Sequence, residues 1–402
     1  MKIFFLTSRF PFPLEKGDKL RAFHQLAALA QRHEVVLCSL SHAPVDAHAR
    51  QKIEELGIKI KLIEQSKWQI LANILGGGLL GRLPLSVAYF FNKNVQQKIE
   101  KIIEEEQPDI LFAQLIRTAE YFKKIDIKNK KCVKVLDLMD AFSVGANRRA
   151  SSETWYLRWF WRIEAKRLRR YETQIVPHFD QNFIISEQDR QSFAQPERLH
   201  TLPNGVDTQF FNRQFFAHQK PDFDLVFVGN MGYYPNVEAA KFLAKTLLPL
   251  LQTRIPTARL LLAGARPTAE VRALASASVE VSGWLNDIRE AYARGRVFVA
   301  PLFNGSGQQN KILEAMSMSL PCVTTDLVNN AIGATPEAEI LTADTGGGLC
   351  EAVFRVLSDP ALADSVAANG QNFVERQFSW HQSNQELEKL LIKSFENVKF
   401  SK

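Results

Sequence analysis

The chain contains 402 residues, of which 46% are hydrophobic and 23% are charged, and its formal net charge is +7. This length and hydrophobic content predict two domains, each with a core of its own. The four cysteines are Cys38, Cys132, Cys322 and Cys350. Because they lie far apart without a Cys-x-x-Cys pair, they argue against a zinc site or a disulfide scaffold and favour a reducing cytoplasm. The apolar run after Lys2 is too short for a secretory signal, so we expect a cytoplasmic protein.

Alternating strand-like and helix-like segments predict two parallel sheets covered by helices on both faces. In the first half, strands are expected near 2–7, 34–41, 57–64, 109–114, 132–138 and 181–186. In the second half, they are expected near 223–229, 257–264, 278–282, 296–301 and 321–325. The predicted fold class is therefore α/β, with two doubly wound, Rossmann-like domains and a ligand cleft between them at the carboxyl ends of the strands.

The boundary between the two predicted domains lies at the turn signal NGVD and the polar stretch that follows it. Residues 1–208 are assigned to the N-terminal domain and 209–222 to a linker. Residues 223–377 are assigned to the C-terminal domain, and 378–402 to a terminal helix.

Gly17 lies in the loop between the first predicted strand and the first predicted helix. Glycine has no Cβ, so its backbone can approach a ligand closely at such a place. An ordinary turn glycine is the alternative interpretation.

The longest apolar tract runs from Ile70 to Phe91 and is interrupted by four glycines, Arg82 and Pro84. A membrane-spanning helix needs ~20 apolar residues without such interruptions, so the tract is not expected to cross a membrane. It predicts a helix, a loop and the start of another helix. Packing into the core is favoured over the alternative, a flap near the binding site of an acceptor substrate.

The segment VLDLMDAFS, residues 135–143, places Asp137, Asp140 and Ser143 at or just past the end of a strand. An aspartate in such a loop can orient an attacking hydroxyl or stabilise developing positive charge. Asp140 is the better catalytic candidate, because Asp137 can still lie within the strand. A capping or turn-forming aspartate is the alternative.

A basic and aromatic helix is predicted over residues 153–172. A helical wheel separates an apolar face, directed at the core, from an arginine-rich face that also carries two tryptophans. The apolar face contains Tyr156, Leu157, Phe160, Trp161, Ile163 and Leu168, and the other face contains Trp155, Arg158, Trp159, Arg162, Lys166, Arg169 and Arg170. Trp155, Trp159, Arg162 and Lys166 are therefore candidates for contact with an anionic membrane surface. A solvated helix face is the alternative, and no recognisable nucleic-acid-binding module accompanies the helix.

The most informative segment runs from Val299 to Asp326 and reads as a strand, a glycine-bearing loop, a helix and a second strand. The helix is predicted over Asn310–Met318, and its start can hold a phosphate. Lys311 in the first turn can pair with a phosphate, while Glu314 on the same face can accept hydrogen bonds from sugar or ribose hydroxyls. A surface lysine and glutamate on an ordinary crossover helix are the alternative.

Several segments, taken in order, resemble one family of enzymes over nearly the whole chain. They are KIFFLTSRFPFPLEKGDKLRAFHQLAALAQRHEVVLCSL, VLDLMDAFS, FDQNFIISEQD, LPNGVD, FVGNMGYYPN, LLLAGARP and VSGWLNDIREAYARGRVFVAPL. Their order resembles the retaining glycosyltransferases of family four, which have the GT-B fold. FVGNMGYYPNVEA and GSGQQNKILEAMS together are most similar to the sugar transferases associated with exopolysaccharide and exosortase (PEP-CTERM) systems.

The resemblance implies metal-independent and cofactor-free transfer of a sugar from a nucleotide diphosphate donor to a glycan or lipid-linked glycan. It assigns the donor to the C-terminal domain and the acceptor to the N-terminal domain, onto which the terminal helix crosses back. Gly17 is implied near the donor phosphate or sugar. The residues implied at the donor are Gly229, Asn230, Gly264, Arg266, Leu285, Ser306, Gly307, Asn310, Lys311 and Glu314.

Two departures from the family pattern bear on activity. Many members carry an arginine and a lysine where this chain has Asn230 and Asn236. Another cation must therefore neutralise the departing diphosphate, and Lys311 is preferred over Arg266. Ser306 replaces the earlier of two usual glutamates, which favours front-face substitution over a glycosyl-enzyme intermediate. A catalytically inactive nucleotide-sugar-binding scaffold and a nucleotide-sugar epimerase remain alternatives.

Overall fold

The fold is described from a computed structural model, which describes residues 1–79, 81, 83–125, 131–152, 154–303 and 308–400. The contacts between Cα atoms divide the chain into two compact units. The first unit consists of Met1–Pro203 and Ser383–Lys402, and the second unit consists of Asn204–Gln382.

The first unit contains a seven-stranded sheet whose described pairings are parallel. Its strands are β1 (Lys2–Thr7), β2 (Glu34–Ser41), β3 (Lys59–Glu64), β4 (Ile110–Gln114), β5 (Val133–Met139), β6 (Gln181–Ile184) and β7 (His200–Thr201). The order across the sheet is β3-β2-β1-β4-β5-β6-β7, so the direction in which strands are added reverses between β1 and β4. Open parallel sheets bind ligands at the carboxyl ends of the strands beside such a switch point.

Side chains of β1 alternate between two cores, as expected for a strand that is covered on both faces. Ile3 and Phe5 belong to one core, and Phe4 and Leu6 belong to the other. The helices that accompany this sheet are α1 (Gly17–Ala30), α2 (Ala47–Glu54), α3 (Lys67–Asn73), α4 (Leu85–Ala88), α5 (Lys93–Glu106), α6 (Ile116–Phe122), α7 (Phe142–Ser152), α8 (Trp155–Ile175) and α9 (Glu187–Arg190).

The second unit contains a six-stranded parallel sheet. Its strands are β8 (Phe223–Val228), β9 (Leu260–Ala263), β10 (Val279–Gly283), β11 (Gly295–Ala300), β12 (Cys322–Thr324) and β13 (Leu341–Thr342). The order is β10-β9-β8-β11-β12-β13, which puts the switch point between β8 and β11. This order repeats the arrangement of the first sheet.

The central strands β8 and β11 are apolar and buried after Asp224 and Arg296, because both faces of the sheet are covered there. The helices that follow these strands are α10 (Tyr234–Phe242), α11 (Leu248–Gln252), α12 (Ala269–Arg272), α13 (Arg289–Arg294), α14 (Asn310–Ser317), α15 (Asp326–Ile332), α16 (Gly346–Ser358) and α17 (Pro360–Gln377). The last helix, α18 (Trp380–Phe400), places Leu387 and Leu391 in the core of the first unit that contains Ile3 and Phe5.

The predicted α/β fold with two doubly wound sheets is confirmed. Each of the predicted strands is present, and α14 matches the predicted helix to within one residue. The strands β7 and β13 were not predicted. Both are two-residue strands at the edge of a sheet, too short to produce an alternating pattern.

The apolar tract at residues 70–91 is only partly buried, so the prediction that it packs into the core is half wrong. Val87 and Phe90 are buried, whereas Leu71 and Leu75 in α3 and the π-helical turn after it are exposed. Among the described residues, no helix combines the length and the apolar character needed to cross a bilayer.

The predicted core-facing stripe of α8 is also wrong in its first turns. Tyr156, Phe160 and Ile163 are exposed, and the first buried residues of α8 are Glu164 and Ala165. The wheel assumed that the whole helix lies on the core, but the first two turns extend past it. Apolar and basic side chains are therefore exposed together at the N-terminal end of α8.

Candidate functional site

The candidate site of the second unit lies at the carboxyl edge of its sheet, beside the switch between β8 and β11. Gly229 and Asn230 directly follow β8, and α14 begins at Asn310 after β11. The start of a helix offers unpaired N–H groups and the positive end of the helix dipole to an anion. Ser306 and Gly307, which the sequence predicts in the same loop, lie outside the described residues.

The amine of Lys311 lies against the turn that follows β8. Its Nζ donates a hydrogen bond to Asn236 Oδ1 at 2.5 Å and lies 4.9 Å from the ring centroid of the buried Phe227. A Cβ on Gly229 would lie 3.2 Å from Nζ, so the amine and the backbone of the turn are close neighbours. Burial lowers the pKa of Lys311 to about 8, and the Glu314 carboxylate opposes this effect in part. Because its hydrogen-bond partner is a neutral amide, the protonated amine keeps its positive charge available for an anion.

Two asparagines hold the turn to which this amine is bound. Asn236 Nδ2 donates to the carbonyl oxygen of Asn230 at 2.9 Å, and the N–H of Gly232 donates to Asn230 Oδ1 at 3.0 Å. The buried Asn236 therefore joins the turn after β8 to Lys311 with the two ends of one amide group. The sequence analysis names Asn230 as a donor residue, but Asn236 enters it only as a position where the usual lysine is absent. The role of Asn236 depends on a contact across 75 positions of the chain, for which there is no local sequence signal.

A close approach of two loops requires glycine at position 264. Its φ is +134°, and a Cβ there would lie 1.9 Å from the carbonyl oxygen of Gly229. Arg266, two residues later, is exposed and has a φ of +56°. The structure thus brings Gly229, Gly264 and Arg266 to the same edge of the sheet, with Gly229 next to the amine of Lys311.

Glu314 lies one turn after Lys311 on α14 and is oriented by a buried tyrosine. Tyr292 Oη donates to Glu314 Oε2 at 2.7 Å and lies 3.2 Å from the carbonyl oxygen of Lys311. Burial raises the pKa of Glu314, while the Tyr292 hydrogen bond and the Lys311 charge act in the opposite direction. Tyr292 was not predicted, because a tyrosine in the helix AYAR carries no sign of its distant partner.

Asn310 and Leu285 complete the described part of this edge. Asn310 Oδ1 is buried and has no hydrogen-bond partner among the described residues. Leu285 is half-buried against the core of the second unit and follows the exposed Trp284. An unpaired acceptor at a helix start is a group that a bound molecule can satisfy.

In the first unit, Asp140 directly follows β5, and its environment differs from that of Asp137. Burial raises the pKa of Asp140 to about 7, and the nearby Asp189 carboxylate adds to this effect. Asp137 is fully buried and accepts hydrogen bonds from Arg21 Nε at 2.6 Å and Gln25 Nε2 at 2.8 Å. Asp137 therefore stabilises the fold, whereas Asp140 is the carboxyl group with altered acidity in the loop.

The loop that carries Asp140 is fixed from α8. Glu172 Oε1 accepts a hydrogen bond from the backbone N–H of Ser143 at 3.0 Å. Burial raises the pKa of Glu172 to about 7, although the hydrogen bonds to Ser143 lower it in part. Ser143, in the first turn of α7, is thus held to α8 directly after the loop that carries Asp140. Glu172 was missed, because its position on a basic helix gave no indication of a partner.

Gly17 begins α1. A Cβ at this position would meet no atom within 4 Å, and the backbone is not left-handed. The packing of the described residues therefore does not require glycine here.

The four residues predicted to contact a membrane are on the surface of α8. Trp155 is 81% exposed and Trp159 is 69% exposed, and Arg162 and Lys166 are exposed as well. Large apolar side chains are usually buried, so two exposed tryptophans at one helix end are an unusual feature of this surface.

Metal ligands do not cluster in the part of the chain that is described. No group of three or more His, Cys, Asp or Glu side chains among those residues could hold a metal ion. Cys38, Cys322 and Cys350 are buried thiols without a disulfide partner.

Comparison with protein families matches residues 222–359 to the family described as glycosyl transferases group 1. No curated protein sequence matches the chain. Among solved structures, sucrose-phosphate synthase from Thermosynechococcus elongatus has a TM-score of 0.72 and 15% identity, covering 98% of this chain and 99% of that chain. HepE from Anabaena in complex with UDP-glucose has a TM-score of 0.64 and 16% identity, covering 98% and 100%. WaaG, a glycosyltransferase involved in lipopolysaccharide biosynthesis, has a TM-score of 0.62 and 16% identity, covering 97% and 99%.

At these identities the structural likeness establishes the fold, while the family match covers the switch point of the second unit. Gly229, Gly264, Lys311 and Glu314 all lie within the matched residues. The chain therefore has the GT-B fold of glycosyltransferase structures, and residues 222–359 of its second unit match the group 1 glycosyltransferases.

Proposed function

We propose that this chain is a retaining, metal-independent glycosyltransferase. It moves a sugar from a nucleoside diphosphate donor to a glycan or lipid-linked glycan acceptor in exopolysaccharide assembly. The second unit binds the donor, the first unit binds the acceptor, and no cofactor beyond the donor substrate takes part. The observation that carries this proposal is the Lys311 amine, held beside Gly229 at the switch point where α14 begins.

The diphosphate of the donor is the group that this edge suits best. Lys311 supplies a positive charge, and the start of α14 supplies backbone N–H groups, beginning at Asn310. Negative charge grows on the diphosphate as its bond to the sugar breaks, so a fixed cation stabilises the transition state more than the ground state. The complexes of HepE with UDP and with UDP-glucose support a donor of this chemical class.

The remaining donor contacts follow from the same edge. Glu314, oriented by Tyr292, accepts hydrogen bonds from the ribose hydroxyls. Gly264 and Arg266 lie near the nucleotide, and Leu285 packs beside the base. In this arrangement the diphosphate, the ribose and the base of the donor each have a partner in the second unit.

The transfer proceeds by front-face substitution. The bond from the sugar carbon to the diphosphate oxygen breaks, and a bond to the acceptor oxygen forms on the same face. The acceptor proton passes to the departing phosphate oxygen, which becomes the base as it leaves. Asp140 orients the attacking hydroxyl, and Gly17 lets the backbone approach the donor phosphate or sugar.

A panel of nucleotide-sugars, followed by thermal shift and by nucleoside diphosphate release, tests this function. One donor is expected to raise the melting temperature selectively and to be consumed only when a glycan acceptor is present. Donor binding without release in the presence of acceptor extracts indicates a scaffold. Conversion of the donor without any acceptor indicates an epimerase. Either result excludes the transferase.

Sugar transfer to a lipid-linked acceptor takes place at a membrane surface. The first turns of α8 expose Trp155 and Trp159 beside Arg162 and Lys166, a combination suited to the interface of an anionic bilayer. This contact would hold the protein peripherally on the cytoplasmic face of the membrane, close to a lipid-linked glycan.

A further inference from the structure

The switch point of the first sheet carries two arginines that the proposed transfer does not use. Arg9 lies two residues past β1, and Arg117 is the second residue of α6, which follows β4. β1 and β4 are hydrogen-bonded neighbours, so both side chains start from the edge where ligands bind in open parallel sheets. Lys311 holds the corresponding place in the second unit, as the second residue of the helix that follows β11.

One carboxylate is shared by these two guanidinium groups. Asp18 Oδ2 lies 3.0 Å from Arg9 Nη1 and 4.0 Å from Arg117 Nη1. The three side chains therefore leave an excess of one positive charge. The Nε atom of Arg117 is buried and has no hydrogen-bond partner among the described residues. An unpaired buried donor costs free energy, and a bound anion would remove that cost.

Aromatic rings surround Arg117 without offering it an oxygen acceptor. Its guanidinium carbon lies 5.4 Å from the ring centroid of Phe90 and 5.2 Å from that of Phe142. Burial, together with the charge of Arg9, lowers the pKa of Arg117 to about 10. Burial of Arg117 is the larger cause and the like charge of Arg9 adds to it, and a bound anion would oppose both effects.

The N-terminus of α1 adjoins the two arginines through Asp18. Lys16 makes no capping hydrogen bond with its side chain, and a Cβ on Gly17 would meet no atom within 4 Å. A helix start of this kind attracts an anion through its N–H groups and dipole. The helix start therefore adds positive potential to the edge that carries the arginines, while its Gly17 backbone is the part that the proposed transfer assigns to the donor.

We propose that Arg9 and Arg117 bind a phosphoryl group carried by the acceptor. Guanidinium groups donate directed pairs of hydrogen bonds to phosphoryl oxygens, and two cations suit a group that carries up to two negative charges. The identification of the ligand as the acceptor rests on the proposed glycosyl transfer, whereas the binding of a phosphoryl group does not.

Titration calorimetry with inorganic phosphate tests the site in the full chain. The Lys311→Ala variant serves as the background, so that the cation of the second unit does not contribute. Adding Arg117→Gln or Arg9→Gln is expected to weaken phosphate binding roughly tenfold or more. Arg50→Gln is the matched control, because Arg50 is an exposed arginine of the same unit paired with Glu54, and it should leave the affinity unchanged. If Arg117→Gln does not fold, the Arg9→Gln variant still tests the site, because Arg9 is more exposed. Unchanged affinity in the folded arginine variants overturns the site.

Competition then identifies what carries the phosphoryl group. Displacement of inorganic phosphate by polyprenyl phosphate in phosphatidylcholine vesicles indicates a lipid-linked acceptor, and displacement by a hexose phosphate indicates a soluble one. If neither competes, the assignment to the acceptor is overturned. Nucleoside diphosphate release by the unmodified protein is measured separately. Loss of the transfer hypothesis and loss of the arginine site therefore give different results.

Discussion

The two switch points place positive charge at matching positions but hold it differently. Lys311 has a neutral partner, Asn236, and burial lowers its pKa to about 8. Arg9 and Arg117 share the carboxylate of Asp18, and arginine stays protonated throughout the physiological range. The charge of the second unit can therefore be titrated near neutral pH, whereas that of the first unit is permanent.

The glycines at the two switch points also differ, in how closely they pack. Gly264 packs directly on the backbone of Gly229 in the second unit, whereas Gly17 in the first unit has open space where a Cβ would lie. The edge of the second sheet thus contains a backbone contact that a larger residue at position 264 would disrupt. At the edge of the first sheet the close contacts are between the side chains of Arg9, Arg117 and Asp18.

The largest expected effect comes from removing the titratable cation. Lys311→Ala should lower turnover by about a hundredfold to a thousandfold, because the departing diphosphate loses its main electrostatic partner. Arg266→Ala, at an exposed position on the same edge, should cost much less. Steady-state kinetics of both variants with a saturating donor decide the matter. If the Arg266 variant is the inactive one, the cation of the second unit has been assigned to the wrong residue.

The contrast between packed and open glycines predicts a large difference in stability. Gly264→Ala should lower the free energy of unfolding by about 2 kcal/mol or more, because the new Cβ overlaps the Gly229 carbonyl oxygen. Gly17→Ala should change the stability by less than about 1 kcal/mol. Denaturant unfolding of the two variants measures both values. A loss of activity in a stable Gly17→Ala variant would show that the open space is used by a ligand, and full activity would remove Gly17 from the site.

The titratable lysine predicts a pH dependence that the arginines cannot produce. Below pH 8 the amine of Lys311 is charged and binds the diphosphate directly. Above pH 8 it must first take up a proton, so donor affinity should fall about tenfold between pH 7 and pH 9. Calorimetric titration of the donor over this range measures the fall. In Lys311→Arg, which keeps its charge, the affinity should be nearly flat, and the same slope in both proteins would mean that another group titrates.

The sequence predicted two doubly wound sheets and the helix that carries Lys311 and Glu314, because these depend on local periodicity and on one helix start. It did not predict the partners of these residues. Asn236, Tyr292 and Glu172 act through contacts with segments far away in the chain, and such contacts leave no local pattern. The exposed start of α8 was missed for a related reason: a helical wheel gives the faces of a helix but not where the core ends.

Within the first unit, Asp140 and Asp137 should respond to substitution in opposite directions. The folded state raises the pKa of Asp140 to about 7, above the ~3.9 of an unfolded chain, so stability falls as the pH rises from 4 to 7. Asp140→Asn should raise the melting temperature by about 2–4 °C at pH 8, leave it nearly unchanged at pH 4, and lower turnover. Asp137→Asn should destabilise at both pH values, since it removes the carboxylate charge to which the buried Arg21 donates a hydrogen bond. If the change in melting temperature caused by Asp140→Asn does not depend on pH in this way, folding does not raise the pKa of this carboxyl group.

The smallest effect on catalysis should come from the exposed tryptophans of α8. Replacing Trp155 and Trp159 by alanine removes two rings that lie outside the core, so folding and transfer to a soluble acceptor should hardly change. Binding to phosphatidylcholine vesicles that contain phosphatidylglycerol should weaken roughly tenfold, because the rings no longer enter the interface beside the basic residues. Trp284→Ala offers the matched control from the second unit, as it removes another exposed tryptophan that lacks the basic helix around it. Equal weakening by both variants in a vesicle sedimentation assay would mean that any exposed ring suffices, and the membrane contact would then not be specific to the first unit.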